Sequence, residues 1–212
     1  MKTYSIVKVF GTIQGEGNLA GTPAAFVRFA GCNMWSGLEE HRERDSARNE
    51  AECPRWCDTD FRARERATAA EIATRVKALG PRRLVVLTGG EPMLQVDDEL
   101  LDALAPLYVR VQIETNGTTE PNFQYHNFVY VTVSPKVAKS RIRLLQADEL
   151  KLVWPAYAPE DWSSFVAHHR FLQAQADPDG RSPDVEARLV EYVQTHPEWR
   201  LSLQTHKFLG IE

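Results

Sequence analysis

The chain has 212 residues, 43% of them hydrophobic, and a formal net charge of −4. That is enough for one sizeable core, while the weak acidity gives no general attraction to nucleic acid. Apolar runs such as "RLVVL" and "FVYVTV" are too short to cross a bilayer, and the opening "MKTYSIVKVFGTIQGEG" lacks the features of a secretory signal, so a cytoplasmic location with reduced thiols is expected.

The predicted elements alternate between strand and helix. "YSIVKVF" (Tyr4 to Phe10) and "AAFVRFA" (Ala24 to Ala30) are β-branched and aromatic, and the glycine-rich "GTIQGEGNLAG" joins them. "LEEHRERDSARNEAE" predicts a charged helix, a solvated cap rather than a docking site for RNA or flavodoxin. Thr68 and Glu71 have capping-box spacing, with Ile72, Val76 and Leu79 on one face of the helix that follows and Gly80-Pro81 at its end. The strand "RLVVLTGGEP" comes next, then a helix over Asp97 to Leu104 and strands in "VRVQIETNG", "FVYVTVSPK" and "ELKLVW". A helix around Asp161 to His168, a strand in "RFLQAQ", a capped helix "SPDVEARLVEYVQTH" and a last strand "RLSLQTHK" complete the order.

This βαβα order predicts a mostly parallel sheet with crossover helices. The polar turns "TGGEP", "ETNG", "SPK", "QADPDG" and "QTHK" would then gather at the carboxyl ends of the strands, where such folds place their active sites. A complete eight-unit barrel takes about 250 residues. The expected fold is therefore α/β, a partial, open β/α barrel of about six units forming a single domain over 1–212.

All three cysteines, Cys32, Cys53 and Cys57, lie between Phe29 and Phe61. An odd number of reduced thiols leaves three readings: buried bystanders, a redox pair with a spare, or metal ligands. Restriction to one strand-end loop favours ligands. Three soft donors suit zinc or an iron-sulfur cluster and leave one position open for chemistry. In "TGGEP" the two glycines permit close backbone approach, and Glu91 offers an acceptor for an ammonium group.

At these residues the chain resembles the radical S-adenosylmethionine superfamily, which joins a three-cysteine loop after the first barrel strand to a Gly-Gly-Glu-Pro turn after the second. More narrowly it is similar to the 7-carboxy-7-deazaguanine synthase family, through "VFGTIQGEGNLAGTPAAFVRFAGCNMW", "WCDTDF", "LTGGEPMLQ", "IETNGT", "VSPK", "ELKLV" and "LQTHKFLGIE". The resemblance implies a [4Fe-4S] cluster on Cys32, Cys53 and Cys57, with S-adenosylmethionine chelating the unique iron. It implies a lyase that converts 6-carboxy-5,6,7,8-tetrahydropterin to 7-carboxy-7-deazaguanine with loss of ammonia. A 5'-deoxyadenosyl radical would abstract hydrogen, and Mg2+ would assist the ring contraction.

The same resemblance implies roles for individual residues. Gln14, Glu16 and Gly17 belong to the substrate loop "QGEG", Arg28 faces the substrate carboxylate, and Thr88 and His206 touch substrate. Gly90 and Glu91 meet the methionine amine; Asn116, Ser134, Lys136 and Gln204 line the adenosyl pocket; Thr59 is the Mg2+ ligand. A flavodoxin- or ferredoxin-type reductant and a homodimer are implied, with no direct nucleic-acid or membrane partner. The chain departs from the superfamily's spacing of three residues and then two: twenty residues separate Cys32 from Cys53, with 33–52 read as an insertion in the cluster loop, and three separate Cys53 from Cys57. The alternatives are a radical activase acting on a partner protein and a non-catalytic zinc module.

Overall fold

The computed structural model describes residues 2–62, 64–107, 109–175 and 182–212. Its strands are β1 (Tyr4–Ile13), β2 (Pro23–Phe29), β3 (Glu65–Ala67), β4 (Leu84–Gly89), β5 (Arg110–Thr115), β6 (Val129–Val133), β7 (Gln146–Trp154), β8 (Val166–Ala174) and β9 (Arg200–Ser202). They form one sheet in the order β3-β1-β2-β4-β5-β6-β7-β8-β9, which does not close on itself. β1 runs antiparallel to β2 and β3, and every pair from β2 through β9 is parallel. The fold is an open β/α barrel.

Strand alternation explains how this sheet divides core from site. Val85, Leu87, Val111, Ile113, Val131, Leu150 and Leu172 point outward into the main core. There they meet Ile72 and Val76 of helix α3 (Ala69–Ala78), Leu100 and Leu104 of α4 (Asp98–Leu104), and Leu189 of α5 (Pro183–Thr195). Their neighbours in sequence point inward, since successive strand side chains take opposite faces. The register aligns Arg28 with Thr88, Glu114 with Thr132, Thr132 with Glu149, and Gln173 with Ser202 on the inner face. Burying Gln14, Gln112 and Thr132 is tolerated because they bond to one another. Gln14 Nε2 donates to Gln112 Oε1 at 2.7 Å, and Gln112 Nε2 donates to Thr132 Oγ1 at 3.0 Å.

The predicted capping box is present: Thr68 Oγ1 accepts from the Glu71 backbone, and the Glu71 carboxylate accepts from the Thr68 backbone at 2.7 Å. The insertion folds as expected into a helix, α1 (Arg42–Asn49), followed by the single turn α2 (Cys53–Trp56). Four expectations are corrected. The helix expected over Asp161 to His168 is a 3-10 turn, Pro159–Trp162, and β8 already begins at Val166 because it pairs along β7 from Gln146↔Val166 to Trp154↔Ala174. Tertiary pairing overrides local helix preference there. The strand expected through "QTHK" stops at Ser202, and a short helix α6 (Thr205–Leu209) carries the motif. Crossover helices cover only some connections: those from β5 to β6, β6 to β7 and β7 to β8 have no α-helix among the described residues. Ser182 precedes α5, but its hydroxyl does not cap the first turn. The turn "QADPDG" lies outside the described residues beyond Gln175.

The gap between the two edges of the barrel is bridged by the β1–β2 loop. The Thr205 backbone N–H donates to Gly15 O at 3.0 Å, and the Gly17 N–H donates to Ser202 Oγ at 3.1 Å. Gly15 permits this closeness, since a Cβ there would lie 2.2 Å from the His206 ring.

Candidate active site

The inner face of the barrel opens into a cavity of about 680 Å³. Every residue expected in the site lines it except Gly17 and Glu91. His206 is the only histidine in the lining among the described residues. Gly17 sits instead over Glu149, whose Oε2 accepts the Asn18 N–H at 2.9 Å; a Cβ on Gly17 would lie 2.1 Å from Glu149 Oε1.

Glu91 lies below the cavity rather than in its lining. Its carboxylate is fully buried below the Gly-Gly turn and accepts from Met93 N at 2.9 Å, Thr115 Oγ1 at 2.7 Å and Asn116 N at 2.8 Å. It fastens the β4 and β5 loops together. The two glycines serve the close approach that the motif suggested. A Cβ on Gly90 would lie 1.8 Å from Gly31 O, and Glu91 N donates to the same carbonyl at 2.9 Å, so the β4 turn rests on the backbone that leads into Cys32.

The substrate loop is held from several sides. Glu16 pairs with Lys151 and accepts from Gln204 Nε2 at 2.9 Å and Gln173 Nε2 at 3.3 Å. Burial alone would raise its carboxyl, yet Lys151 and Gln204 hold it at about 2, so Glu16 is an anion at neutral pH. Gln14 Nε2 also donates to Glu114 Oε1 at 3.0 Å, and the Thr88 hydroxyl donates to Glu114 Oε2 at 3.0 Å. Arg28 stands over the Phe10 ring at 5.7 Å. Lys136 Nζ donates to Ser134 Oγ at 3.1 Å and lies 4.9 Å from the centre of the Trp56 ring. Asn116 Nδ2 donates to Asn33 Oδ1 at 2.9 Å, linking the β5 turn to the cysteine loop. Thr59 lines the cavity between Asp58 and Asp60, and Lys207 of α6 donates to Asp58 at 2.8 Å.

The donor set fits an iron-sulfur cluster. The three cysteines are free thiols and share the cavity wall. Burial pushes Cys32 up to about 11 and Cys53 up to about 12, so their thiolates need a cationic group beside them. Among the described residues no three His, Cys, Asp or Glu side chains converge tightly enough for one metal ion. Three soft thiolate donors on one wall suit an iron-sulfur cluster held through three of its irons, with the fourth iron left open for chemistry.

Glu114, Lys151 and Gln173, which face the cavity, were not singled out from the sequence, nor was Gln112, which supports the wall behind them. Their signal is the alternation in "VQIET", "ELKLV" and "FLQA", where polar side chains recur every second residue within apolar strands.

No protein-family model matches the chain. Among curated proteins it is 43% identical over 223 residues to the 7-carboxy-7-deazaguanine synthase of Caulobacter vibrioides, covering 99% of both chains. It is 41% identical over 222 residues to that of Bradyrhizobium diazoefficiens, again covering 99% of both. Among solved structures it resembles QueE from Escherichia coli with a TM-score of 0.68 and 26% identity, over 95% of this chain and 94% of that one. Full-length similarity at this level, together with a cavity lined by the three thiols, shows that the chain belongs to the 7-carboxy-7-deazaguanine synthase family.

Proposed function

We propose that the cavity takes 6-carboxy-5,6,7,8-tetrahydropterin and that the chain converts it to 7-carboxy-7-deazaguanine with loss of ammonia. By its family the chain is a radical S-adenosylmethionine lyase of 7-deazapurine biosynthesis, using a [4Fe-4S] cluster and S-adenosylmethionine. Those groups, when bound, supply the radical that abstracts hydrogen. The protein's residues bind, orient and charge the pocket.

In this reading Cys32, Cys53 and Cys57 hold the cluster. Glu16, kept anionic by Lys151, accepts from the amino edge of the pterin, and the Gln14 amide reads the adjacent edge. Arg28 meets the substrate carboxylate with its planar fork, beside Thr88 and His206. Gly90 offers backbone to the methionine moiety, and Asn116, Ser134 and Lys136 line the adenosyl side with Gln204. Thr59 is the proposed Mg2+ ligand, because a hydroxyl oxygen suits that hard ion. A flavodoxin- or ferredoxin-type reductant, a homodimer, a cytoplasmic location and action as one domain over 1–212 complete the proposal. No helix among the described residues is long and apolar enough to cross a membrane.

The observation that carries this reading is one cavity lined both by three thiols and by the anionic Glu16 with Arg28. The test is anaerobic reconstitution with iron and sulfide, reduction, and addition of S-adenosylmethionine, Mg2+ and the pterin. Mass detection of 5'-deoxyadenosine and 7-carboxy-7-deazaguanine together is the expected result. Deoxyadenosine without the deazaguanine would remove the proposed substrate.

A further inference from the structure

The insertion meets the cysteine loop on both sides. Within the insertion, α1 is tied back to the residues just after Cys32: the buried Asp45 accepts the Ser36 N–H at 2.9 Å, and Asn49 Nδ2 donates to Met34 O at 2.6 Å. On the other side, Arg42 of α1 donates to Pro54 O at 2.5 Å and Cys57 O at 3.0 Å. Its guanidinium lies 4.4 Å from the centre of the Trp35 ring, and Glu39 accepts from its Nε at 2.6 Å. From outside the insertion, Arg141 donates to Asn49 O at the end of α1.

The segment from Cys53 to Cys57 explains why such a clamp is needed. Cys57 N donates to Cys53 O at 2.8 Å, closing one helical turn. The three intervening residues therefore place the two cysteines about one turn apart on the same face, separated along the axis by about 6 Å. A lone turn is unstable in water, and its last carbonyls have no partner inside the helix. Arg42 occupies two of those carbonyls, one within the turn and one on Cys57 itself.

We propose that the inserted helix makes this cysteine spacing usable and that Arg42 is the positioning residue for Cys53 and Cys57. This rests on the reading that the three cysteines hold a [4Fe-4S] cluster. Arg42 does not touch substrate; it acts by fixing the turn that carries two ligands. The guanidinium matters because its Nη1 reaches both carbonyls while Nε is held by Glu39 and the rigid plane lies against Trp35, which together fix where the donating nitrogen stands.

The experiment uses the full chain, reconstituted anaerobically, as wild type, Arg42→Ala, Arg42→Lys and Arg55→Ala. Arg55 lies on the same turn but pairs outward with Glu43 and Glu52, so its variant controls for loss of charge. Iron content, the rate of iron loss to a chelator and the electron paramagnetic resonance spectrum of the reduced cluster are measured, with thermal unfolding of the iron-free protein. We expect Arg42→Ala to lose iron about tenfold faster, as loss of hydrogen bonds from a charged donor implies, with an altered cluster spectrum. Arg42→Lys should follow it, Arg55→Ala should match wild type, and the unfolding temperatures should stay within a few degrees. Unchanged iron loss and spectrum in Arg42→Ala, or equal acceleration in Arg55→Ala, would overturn the proposal. If Arg42→Ala does not fold, Arg42→Lys is judged by the same criteria. Failure of the wild type to take up a four-iron cluster would overturn the cluster reading itself, an outcome separate from failure of Arg42.

Discussion

Replacing Lys151 by Met should turn a pH-insensitive recognition anion into a titrating one. The side chains of Lys151 and Glu16 are 7% and 15% exposed, so neither charge is well served by bulk water. Burial pushes the Glu16 carboxyl up, and Lys151 with Gln204 brings it from 4.5 down to about 2. A shift of that size corresponds to about 3 kcal/mol of stability, from the conversion of about 1.4 kcal/mol per unit. That contribution is fully present above about pH 4.5 and is lost as pH falls towards 2.

In the Lys151→Met variant burial is no longer opposed by a cation, so the folded-state value rises above the unfolded one and the sign reverses. Stability from this group is then lost as pH rises from the ordinary carboxylate range through the raised value. Leaving a buried charge unpaired costs roughly 3–5 kcal/mol, and proton uptake limits that cost at lower pH. Urea unfolding of the iron-free protein should therefore show a deficit of about 3 kcal/mol at pH 8 that narrows at pH 5. In the reconstituted enzyme, weakening of one charge-assisted hydrogen bond should raise KM for the pterin roughly tenfold or more. It should rise further as pH falls from 8 to 6. An unfolding deficit equal at every pH, with a flat KM profile, would refute this account of Glu16.

Arg28→Ala should raise KM for the pterin by roughly ten- to a hundredfold, the scale of a lost charged hydrogen bond, while iron content and the brown colour persist; unchanged kinetics would take Arg28 out of the site. Cys53→Ala should abolish the cluster, and full iron retention in that variant would show that the fourfold step from Cys53 to Cys57 has been misread. Glu91→Gln places an amide donor among three donors, so it should lower stability by roughly 1–3 kcal/mol; thermal unfolding would show it as a fall of several degrees, and an unchanged melting temperature would contradict its role as a brace. Gly90→Ala must displace backbone, since its Cβ would lie 1.8 Å from Gly31 O, and the soluble yield or melting temperature should drop sharply; a variant as stable as wild type would show that the β2 and β4 turns are free to separate.

The site was legible where chemistry is written in contiguous residues. The cysteines, "TGGEP", "QGEG" and "QTHK" each carry their own local signal, and the parallel sheet brings them to one end. The bracing contacts of Glu91 could not be read from its motif because its partners, Thr115 and Asn116, lie on another strand-end loop. Lys151 was hidden for a similar reason: a charged residue in "ELKLV" becomes meaningful only when the register turns it inward opposite Glu16. Between Asp161 and His168 a helix was expected, but pairing with β7 from Gln146↔Val166 to Trp154↔Ala174 decided for strand from Val166 onward. The spacing from Cys53 to Cys57 looked like a surplus residue in one dimension and is a complete helical turn in three.

The loop that bridges the open barrel joins positions far apart along the chain: Thr205 Oγ1 donates to Gly15 O across 190 residues. A ladder of strands could have sealed that seam with many cooperative bonds, but here a few contacts do so, and they involve the substrate loop and the neighbourhood of His206. Contacts of such long range are among the last to form on folding, and regions held by few bonds are among the first to open. The recognition pocket should therefore assemble after the rest of the sheet and exchange its amide hydrogens before it. A bound pterin, gripping both sides of the seam, would slow that exchange most at Gly17 and Thr205, far from the helices that stabilise the body of the protein.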